Sequence, residues 1–416
     1  MRRSNNQDSL AVDPAGDESA WRERGHLFMV ADGMGAHAAG ELASRLAAEK
    51  VPYLYRKYRD QSPPEALQKS VLETNAEVHR RGEANAEFHH MGTTCSVLTL
   101  LPQGAVIAHI GDSRVYRLRR GVLEQLTFDH SLVWEMRAAG QLTEGSQLAS
   151  AVPKNVITRS LGPNASVKVD VEGPFAVEVG DTFLLCSDGL TGQISDEELG
   201  PLLANFAPDE VVHVLVDLAN LRGGPDNISV IVARIVGPAA STAVAGAEPI
   251  TIGAEKVDRS ATALHWGILG ACLLTALSMA LLQVWSLALI GVLAGLGVLG
   301  WILFRQRGMP TRGGTVLQAG RAFGKGPYTQ TPCQATPEFI EKLADILRHV
   351  RETAAEAGWE IDWDGLDRRS AAADEAAQAG RHNDALQSYA GAITYLMSEV
   401  RSLRERNRAS DSSVEL

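Results

Sequence analysis

The sequence of 416 residues predicts an α+β domain at 1–237, followed by an apolar helical hairpin and a small all-α region. Three observations support this prediction. Short apolar runs in the first 237 residues come in adjacent pairs separated by turns, which is typical of antiparallel strands. A long run without Asp, Glu, Lys or Arg follows at 261–304. Beyond it, apolar residues recur at three-to-four spacing, which predicts amphipathic helices.

The α+β prediction depends on how strands and helices alternate. Predicted strands lie at 27–31, 95–100, 105–110, 115–119, 182–186 and 228–235. Predicted helices lie at 40–54, 64–84, 132–139, 196–205 and 209–221. Because many strands are hairpin neighbours, a sandwich of antiparallel sheets with helices outside is favoured over a doubly wound parallel sheet.

The uncharged run predicts a transmembrane helical hairpin at 264–304. A membrane helix needs about 20 apolar residues, and this stretch is about twice that length. A turn near 283–286 would divide it into two spans. Basic residues flank both ends, so the regions on either side are expected in the cytoplasm. The alternative is a buried core helix, but such helices rarely run this long without a charge.

The remaining segments are predicted as two linkers and a helical region. Residues 238–263 and 305–337 are rich in small residues, Gly, Pro or Thr, which is typical of linkers. Residues 338–408 are predicted to be helical. The spacing of Gly380, Ala385 and Tyr389 is similar to half of a tetratricopeptide unit, but solenoids usually need three or more repeats. A plain helical hairpin is therefore favoured, with the docking of a protein partner as its expected role.

Composition excludes several classes of protein. Apolar residues make up 45% and charged residues 21% of the chain, which is ordinary for a globular protein and argues against wholesale disorder. The formal net charge is −11 and there is no basic block, so nucleic acid is not an expected partner. The four cysteines are far apart and lack the spacing of a zinc ribbon or a disulfide scaffold.

Acidic residues recur at the ends of the predicted strands. They are Asp32, Asp112 and Asp188 after apolar runs, Asp226 just before one, and Asp8 near the start. An Asp beside a buried strand is costly unless its charge is compensated, and several at one sheet edge would repel each other. Mg²⁺ and Mn²⁺ prefer carboxylate and water oxygens, so the pattern predicts a metal centre. For any single Asp-Gly pair, a tight turn is the alternative interpretation.

Histidine and cysteine are weaker candidates for the chemistry. His37, His109 and His130 lie near these motifs, but scattered histidines are more often loop or core residues than ligands. Cys95 and Cys186 lie inside apolar runs and lack the Cys-x5-Arg phosphate loop of cysteine phosphatases. We therefore expect neither to act as a nucleophile.

Eight motifs occur in order within residues 1–237. They are RSNNQDS at 3–9, VADGMG at 30–35, MGTT at 91–94, IGDSR at 110–114, LTFDHS at 126–131, VITRSLG at 156–162, LCSDGL at 185–190 and PDN at 225–227. This set resembles the metal-dependent protein serine/threonine phosphatases of the PP2C (PPM) type, in their bacterial branch. The resemblance implies a four-layer αββα sandwich with a two-metal centre at one end of the sheets.

The resemblance also implies the roles of individual residues. Asp32 matches the carboxylate that bridges both metals, and Gly33 matches the residue whose backbone carbonyl binds the second metal. Asp188 and Asp226 match the other ligands of the first metal. Asp8 matches an acid that acts through metal-bound water.

Further matches concern phosphate, a third metal and a flap. Arg3 stands where the family keeps its phosphate-binding arginine. Its place three residues from the start implies either an upstream start or a sheet that lacks an edge strand. Asp112 matches an acid that, with Asp188, helps to hold a third and weaker metal. Residues 133–154 match a mobile flap. Met34 stands where many eukaryotic relatives place a proton-donating His, so no general acid is nominated.

Together these observations predict a protein serine/threonine phosphatase tethered in the inner membrane, with its catalytic and C-terminal regions in the cytoplasm. A water bridged by two Mn²⁺ or Mg²⁺ ions would attack phosphoserine or phosphothreonine, with Asp8, Asp32 and Arg3 as the catalytic residues. Expected partners are membrane lipid and phosphoproteins made by bacterial serine/threonine kinases.

Two alternatives stay open at this point. The first is a catalytically inactive membrane scaffold or sensor with a phosphatase fold, although retention of all five acids argues against it. The second is a metal-dependent hydrolase of small phosphoesters. The sequence does not exclude it, because substrate contacts lie in variable loops.

Overall fold

The structure is a computed structural model that describes residues 5–35, 38–143, 152–153, 155–242, 250–252, 263–307, 315–316 and 323–412. The chain divides into two compact units. The larger unit comprises Met1–Ile250 together with Leu317–Leu416, and the smaller comprises Thr251–Val316.

The larger unit contains the two sheets and most of the helices. Its strands are β1 (Asp8–Asp13), β2 (His26–Met34), β3 (Gly92–Thr93), β4 (Cys95–Leu101), β5 (Gly104–Ile110), β6 (Arg114–Arg119), β7 (Val122–Gln125), β8 (Asp170–Phe175), β9 (Thr182–Cys186), β10 (Val230–Arg234) and β13 (Thr329–Pro332). Its helices are α1 (Glu18–Arg24), α2 (Ala38–Lys57), α3 (Pro63–Ala84), α4 (Leu132–Ala138), α5 (Asp188–Thr191), α6 (Asp196–Asn205), α7 (Pro208–Leu221), α10 (Pro337–Glu356), α11 (Trp363–Gln378) and α12 (His382–Ser412).

Two antiparallel sheets form the centre of this unit. The first has the strand order β1-β2-β4-β5-β8, with β3 paired to β2, and the second has the order β10-β9-β6-β7-β13. Their inner faces share one apolar core, to which Leu98 and Ile107 contribute from the first sheet and Val115 and Leu185 from the second. Alternation along each strand places these residues on the buried face, as expected for packed sheets.

Helices cover the outer faces of both sheets. On the first sheet, α2 contacts β1 and β2, and α3 packs on α2. On the second sheet, Leu199 of α6 and Leu215 of α7 share a core with Tyr116 of β6. The order is helix, sheet, sheet, helix, so the predicted α+β sandwich is confirmed.

The turn after α7 determines where the following loop goes. The helix ends at Leu221, and Gly223 and Gly224 both have positive φ, a conformation that glycine adopts without strain. The amides of Gly223 and Gly224 donate to carbonyls of the last helical turn. The chain therefore reverses direction and delivers Asp226 to the end of the sheets.

The stretch before α10 is part of the second sheet rather than a linker. β13 pairs antiparallel with β7, with Thr329 opposite Gln125. The Cys333 amide donates to the Gly121 carbonyl at 2.8 Å, and the Tyr328 hydroxyl donates to Glu172 at 2.5 Å. The linker prediction across 305–337 thus differs from the structure here, because a four-residue polar edge strand lacks the apolar alternation that predicts strands.

The C-terminal helices pack on the helix layer of the second sheet. Leu343 of α10 and Leu386 and Ile393 of α12 are buried in the same core as Leu199 and Leu215. The helical region predicted at 338–408 corresponds to α10, α11 and α12, which together span 337–412. The region is therefore a three-helix layer packed on the two-sheet sandwich, where a helical hairpin was favoured from sequence.

The smaller unit contains a helical hairpin and a short ladder. Its elements are α8 (Ala263–Leu281), α9 (Trp285–Arg307), β11 (Thr251–Ile252) and β12 (Thr315–Val316). Gln283, with positive φ, lies in the turn between the helices. Leu274 and Leu281 are exposed, so the buried-core alternative is wrong for them.

No helix within the described ranges combines the length and the apolar character that a membrane crossing requires. The hairpin predicted at 264–304 is present, but its prediction as transmembrane is not supported.

Candidate active site

The candidate site begins where β1 and β2 pair. In the antiparallel register Asp8 lies directly opposite Asp32, so the two acids face each other across neighbouring strands. The Gly33 amide donates to the Gln7 carbonyl at 3.1 Å. A Cβ at Gly33 would lie 2.2 Å from the Gly40 carbonyl oxygen, so only glycine allows this close approach of the two backbones.

The loops carrying Asp188 and Asp226 meet beside this pair. Asp188 opens α5 directly after β9, and a Cβ at Gly189 would lie 2.0 Å from the Asn227 carbonyl oxygen. The Ser187 hydroxyl donates to Asp8 Oδ2 at 2.8 Å. Consequently the start of the chain, the end of β9 and the turn after α7 converge on one point.

Asn227 ties the N-terminal strand to this point. Its Oδ1 accepts from the Gln7 amide at 3.0 Å, and its Nδ2 donates to the Asn5 carbonyl at 3.1 Å. The two partners are 220 and 222 residues away in sequence. Sequence reasoning placed Asn227 in a motif but gave it no role, although an amide beside a candidate ligand is a useful signal.

A second set of hydroxyls fixes Asp32 and the Asp112 loop. Thr94 Oγ1 accepts from the Asp32 amide at 2.8 Å and lies 2.8 Å from Ser113 Oγ. A Cβ at Gly111 would lie 2.6 Å from the Thr94 side chain, so the loop before Asp112 packs against it. Thr94 and Ser113 are positioning residues that the sequence analysis did not assign.

Burial and mutual repulsion disfavour ionisation of these carboxyls. Burial raises the pKa of Asp32 well above its usual range, and the charges of Asp8 and Asp188 raise it further. Burial also raises the pKa of Asp8 and of Asp188. Burial, followed by the Asp188 charge, raises the pKa of Asp112 to about 7. Such a cluster is stable as a set of anions only when cations compensate it.

The buried oxygens support the same conclusion. Among the described residues, Oδ1 of Asp8, of Asp112 and of Asp188 is buried without a hydrogen-bond partner. An unsatisfied buried acceptor costs about 1–3 kcal/mol, and more when it is charged. Oxygen donors of this kind are those that Mg²⁺ and Mn²⁺ select, so the residues fit a divalent cation.

The carboxylates do not form a closed cage by themselves. Within the described part of the chain, no three His, Cys, Asp or Glu side chains are grouped tightly enough to hold an ion. This is compatible with the fit, because Mg²⁺ usually keeps several waters and takes only one or two carboxylates.

A cavity of about 290 Å³ adjoins the acid cluster. Its lining includes the acids Asp112 and Asp188 together with Arg114 and Trp134. Arg114 is held by Asp129 at 2.8 Å, and its guanidinium lies 5.6 Å from the centre of the Trp134 ring. The cavity therefore offers the fixed guanidinium of Arg114 and the aromatic face of Trp134 beside the candidate metal site.

The other candidates have varied outcomes. Arg3 and His37 lie outside the described residues, as does most of the predicted flap beyond α4. Met34 is half-buried at the end of β2. His109 Nε2 bonds the Phe128 carbonyl at 2.9 Å and His130 Nε2 bonds Asp170 at 2.9 Å, so both rings have structural partners.

The cysteines are unsuited to nucleophilic attack. Cys95 and Cys186 are fully buried, and burial raises the pKa of each thiol to about 12. The thiolate is the reactive form, so both residues are inert near neutral pH.

A family model described as protein phosphatase 2C matches residues 2–215. The chain belongs to this family. The protein phosphatase PhpP of Streptococcus pneumoniae strain D39 is 38% identical over 237 residues, which are 55% of this chain and 92% of that protein. The S. agalactiae serine/threonine phosphatase structure has a TM-score of 0.50 and 33% identity, over 57% of this chain and 96% of that one.

A third relative was solved with metal. The catalytic domain of the serine/threonine protein phosphatase PstP, in complex with two manganese ions, has 32% identity and a TM-score of 0.47. It covers 57% of this chain and 94% of that one.

This PP2C member is a serine/threonine protein phosphatase. The predictions of family and enzyme class are confirmed. The family match ends at residue 215, so it does not extend to the C-terminal helices.

Proposed function

We propose that this phosphatase hydrolyses phosphoserine and phosphothreonine in phosphoproteins at a centre of two divalent cations. The observation that carries the proposal is the convergence of Asp8, Asp32, Asp188 and Asp226. Among the described residues, the buried Oδ1 atoms of Asp8 and Asp188 have no hydrogen-bond partner in the protein. The PstP relative that was solved with two manganese ions is consistent with this number of ions.

Each residue then has a distinct task. Asp32, between Asp8 and Asp188, would contribute to both cation sites, with the Gly33 carbonyl beside it. Asp226 would complete the first site, and Asp8, fixed by the Ser187 hydroxyl, would hold the bridging water in place. When bound, the cations would acidify that water and neutralise the phosphoryl oxygens.

Two further assignments extend the centre. Asp112 shares a cavity wall with Asp188, and we propose that the two acids hold a third, weaker cation there. We propose that Arg3 binds the phosphoryl group, because an Arg offers a bidentate fork to phosphate and needs no metal contact. Arg3→Ala should therefore raise KM for phosphoprotein, and unchanged kinetics would remove Arg3 from the site.

We propose that the catalytic and C-terminal regions lie on the same side of any membrane, in the cytoplasm with the kinase substrates. The support is the core shared by α7, α10 and α12. Reporters fused near Gly246 and after Leu416 should give the same cytoplasmic signal. Signals from opposite sides would contradict the proposal.

The deciding experiment uses the full chain with phosphopeptides, small phosphoesters and varied Mn²⁺. Activity on phosphoserine and phosphothreonine peptides that EDTA abolishes supports the proposal. No activity at any Mn²⁺ concentration would favour an inactive scaffold, and activity on small phosphoesters alone would favour the other alternative. A fragment ending near residue 240 is unsuitable, because it lacks the helices that complete the core.

A further inference from the structure

A second cavity lies on the far side of α7, where the C-terminal helices pack. Its volume is about 340 Å³, within the range of about 300–1,000 Å³ that small-molecule sites occupy. Val216 and Leu221 of α7 line one wall, and Val350 of α10 and Met397 of α12 line the other. Sites of this kind are common where two structural modules meet.

The charged side chains that line this cavity are two arginines. His349, Arg401 and Arg404 line it, and its described lining includes no Asp or Glu. Arg401 pairs with the buried Asp217 at 2.6 Å, which fixes α12 on α7. Arg404 is exposed one turn further along α12. Because an Arg stem covers apolar surface while its head stays in water, Arg404 is placed to pair with an anion at the mouth.

The cavity is connected to the candidate metal site through one short segment. Asn220 lines the cavity, and its backbone carbonyl accepts from the Gly223 amide at 3.0 Å. A Cβ at Gly224 would lie 2.8 Å from Asn220 Oδ1, so the turn packs directly on this side chain. Asp226 is two residues further on. A shift of the end of α7 therefore displaces the loop that carries a candidate ligand.

We propose that this cavity binds a small amphipathic monoanion, such as a medium-chain carboxylic acid, and that its occupancy changes metal affinity at Asp226. Apolar walls with the Arg404 guanidinium at the rim are complementary to an apolar body with one negative head. The effect of the bound anion on metal affinity rests on the proposed function. Binding of the anion to the cavity does not, because it is independent of catalysis.

The binding test uses the full chain and the fluorescent amphipathic anion 8-anilinonaphthalene-1-sulfonate, with decanoate as competitor. Thr353→Trp adds bulk at the exposed rim, and Arg404→Glu reverses the charge. Arg368→Glu, on exposed α11 and outside the cavity, is the matched control. Exposed leucines of the α8–α9 hairpin will give background fluorescence, so only the decanoate-sensitive component is counted.

The expected result is a saturable fluorescence signal from the bound anion that decanoate displaces. Thr353→Trp should remove this signal. Arg404→Glu should weaken the affinity for the fluorescent anion by about tenfold, or roughly 1.4 kcal/mol. Arg368→Glu should bind as the unmodified chain does. A decanoate-sensitive component that both cavity variants retain in full, or the lack of any such component, would overturn the site. Circular dichroism on each variant separates lost binding from lost folding.

The coupling is tested by binding alone. Thermodynamic reciprocity requires that Mn²⁺ change the affinity for the fluorescent anion by the same factor as the anion changes Mn²⁺ affinity. Saturating Mn²⁺ should change the dissociation constant of the fluorescent anion by about threefold or more. Asp226→Asn should reduce that change. An affinity independent of Mn²⁺ would overturn the coupling, while a dead enzyme that still shows the shift would count against the proposed function only.

Discussion

The two helix layers of the sandwich differ in what covers them. α2 and α3 on the first sheet face solvent, where Tyr53 and Leu72 are exposed. α6 and α7 on the second sheet are buried beneath α10 and α12, and Leu199 and Leu215 have no exposed surface. The second layer therefore depends on residues 337–412, which lie outside the family match at 2–215. One side of the sandwich is thus covered by helices that lie outside the family match.

The largest expected effect comes from the acid cluster, which lies at the end of both sheets and is part of neither helix layer. Asp32→Asn should lower kcat by at least about 10³-fold, because the replaced carboxylate would contribute to both cation sites. The check is steady-state kinetics on a phosphothreonine peptide at saturating Mn²⁺.

Asp209→Asn, an exposed acid at the start of α7, is its control and should retain activity. An Asp32→Asn variant that is folded and nearly as active as the unmodified chain would rule out a metal role for Asp32.

The difference between the layers predicts a difference in stability. Leu343→Ala on α10 removes a fully buried side chain from the shared core and should lower the free energy of unfolding by about 2–5 kcal/mol. Leu72→Ala on α3, at an exposed position, should change it by about 0.5 kcal/mol or less. The measurement is urea denaturation of the full chain, followed by circular dichroism.

Equal losses in the two variants would show that the C-terminal layer adds nothing to the core. Two separate transitions in the unmodified chain would lead to the same conclusion, because they would show that the layer unfolds independently.

The sequence predicted the acid cluster because its signal is local. Each Asp is adjacent to an apolar strand, so the residues that chemistry needs stand beside the pattern that predicts their position. The supports of the cluster have no such signal. Asn227 acts on residues more than 200 positions away, and the role of Thr94 depends on strand register. Neither can be recognised before the sheets are assembled.

In the C-terminal module, too, the contacts between residues distant in sequence could not be predicted from local patterns. The spacing of Leu343 and Leu347 predicts an amphipathic helix but leaves its partner undefined. Its docking on α7, and the edge strand β13 that precedes it, are products of long-range packing. The apolar hairpin has a different outcome: its two helices were predicted correctly, whereas its prediction as transmembrane is not supported by the described helices.

Low pH should lower the free energy of unfolding through protonation of His109, which lies on β5 of the first sheet. Burial, followed by the nearby His130 charge, lowers the pKa of His109 to about 3, so the folded protein keeps it neutral. The unfolded chain takes up a proton below about 6.5, so the stabilisation is complete above that pH and is lost as the pH falls towards 3. At pH 5 the loss is about 2 kcal/mol.

The check is the urea midpoint at pH 5 and at pH 7.5 in the unmodified chain and in His109→Gln. The variant should lose less stability between the two pH values. His89→Gln, at a half-exposed position near α3, is the control and should retain the original pH dependence. An identical pH dependence in all three proteins would show that His109 does not titrate on unfolding.

The smallest expected effect concerns an ion pair at the surface of the C-terminal layer. Arg351 of α10 lies 2.5 Å from Asp367 of α11, and both side chains are about half exposed. Exposed pairs contribute about 0–1 kcal/mol, because water and salt screen them and two long side chains lose freedom. Arg351→Ala should therefore shift the urea midpoint far less than Leu343→Ala. In 0.5 M salt the midpoint of Arg351→Ala should equal that of the unmodified chain. A loss comparable with that of Leu343→Ala, unchanged by salt, would mean that charge rather than apolar burial holds α10 and α11 together within this layer.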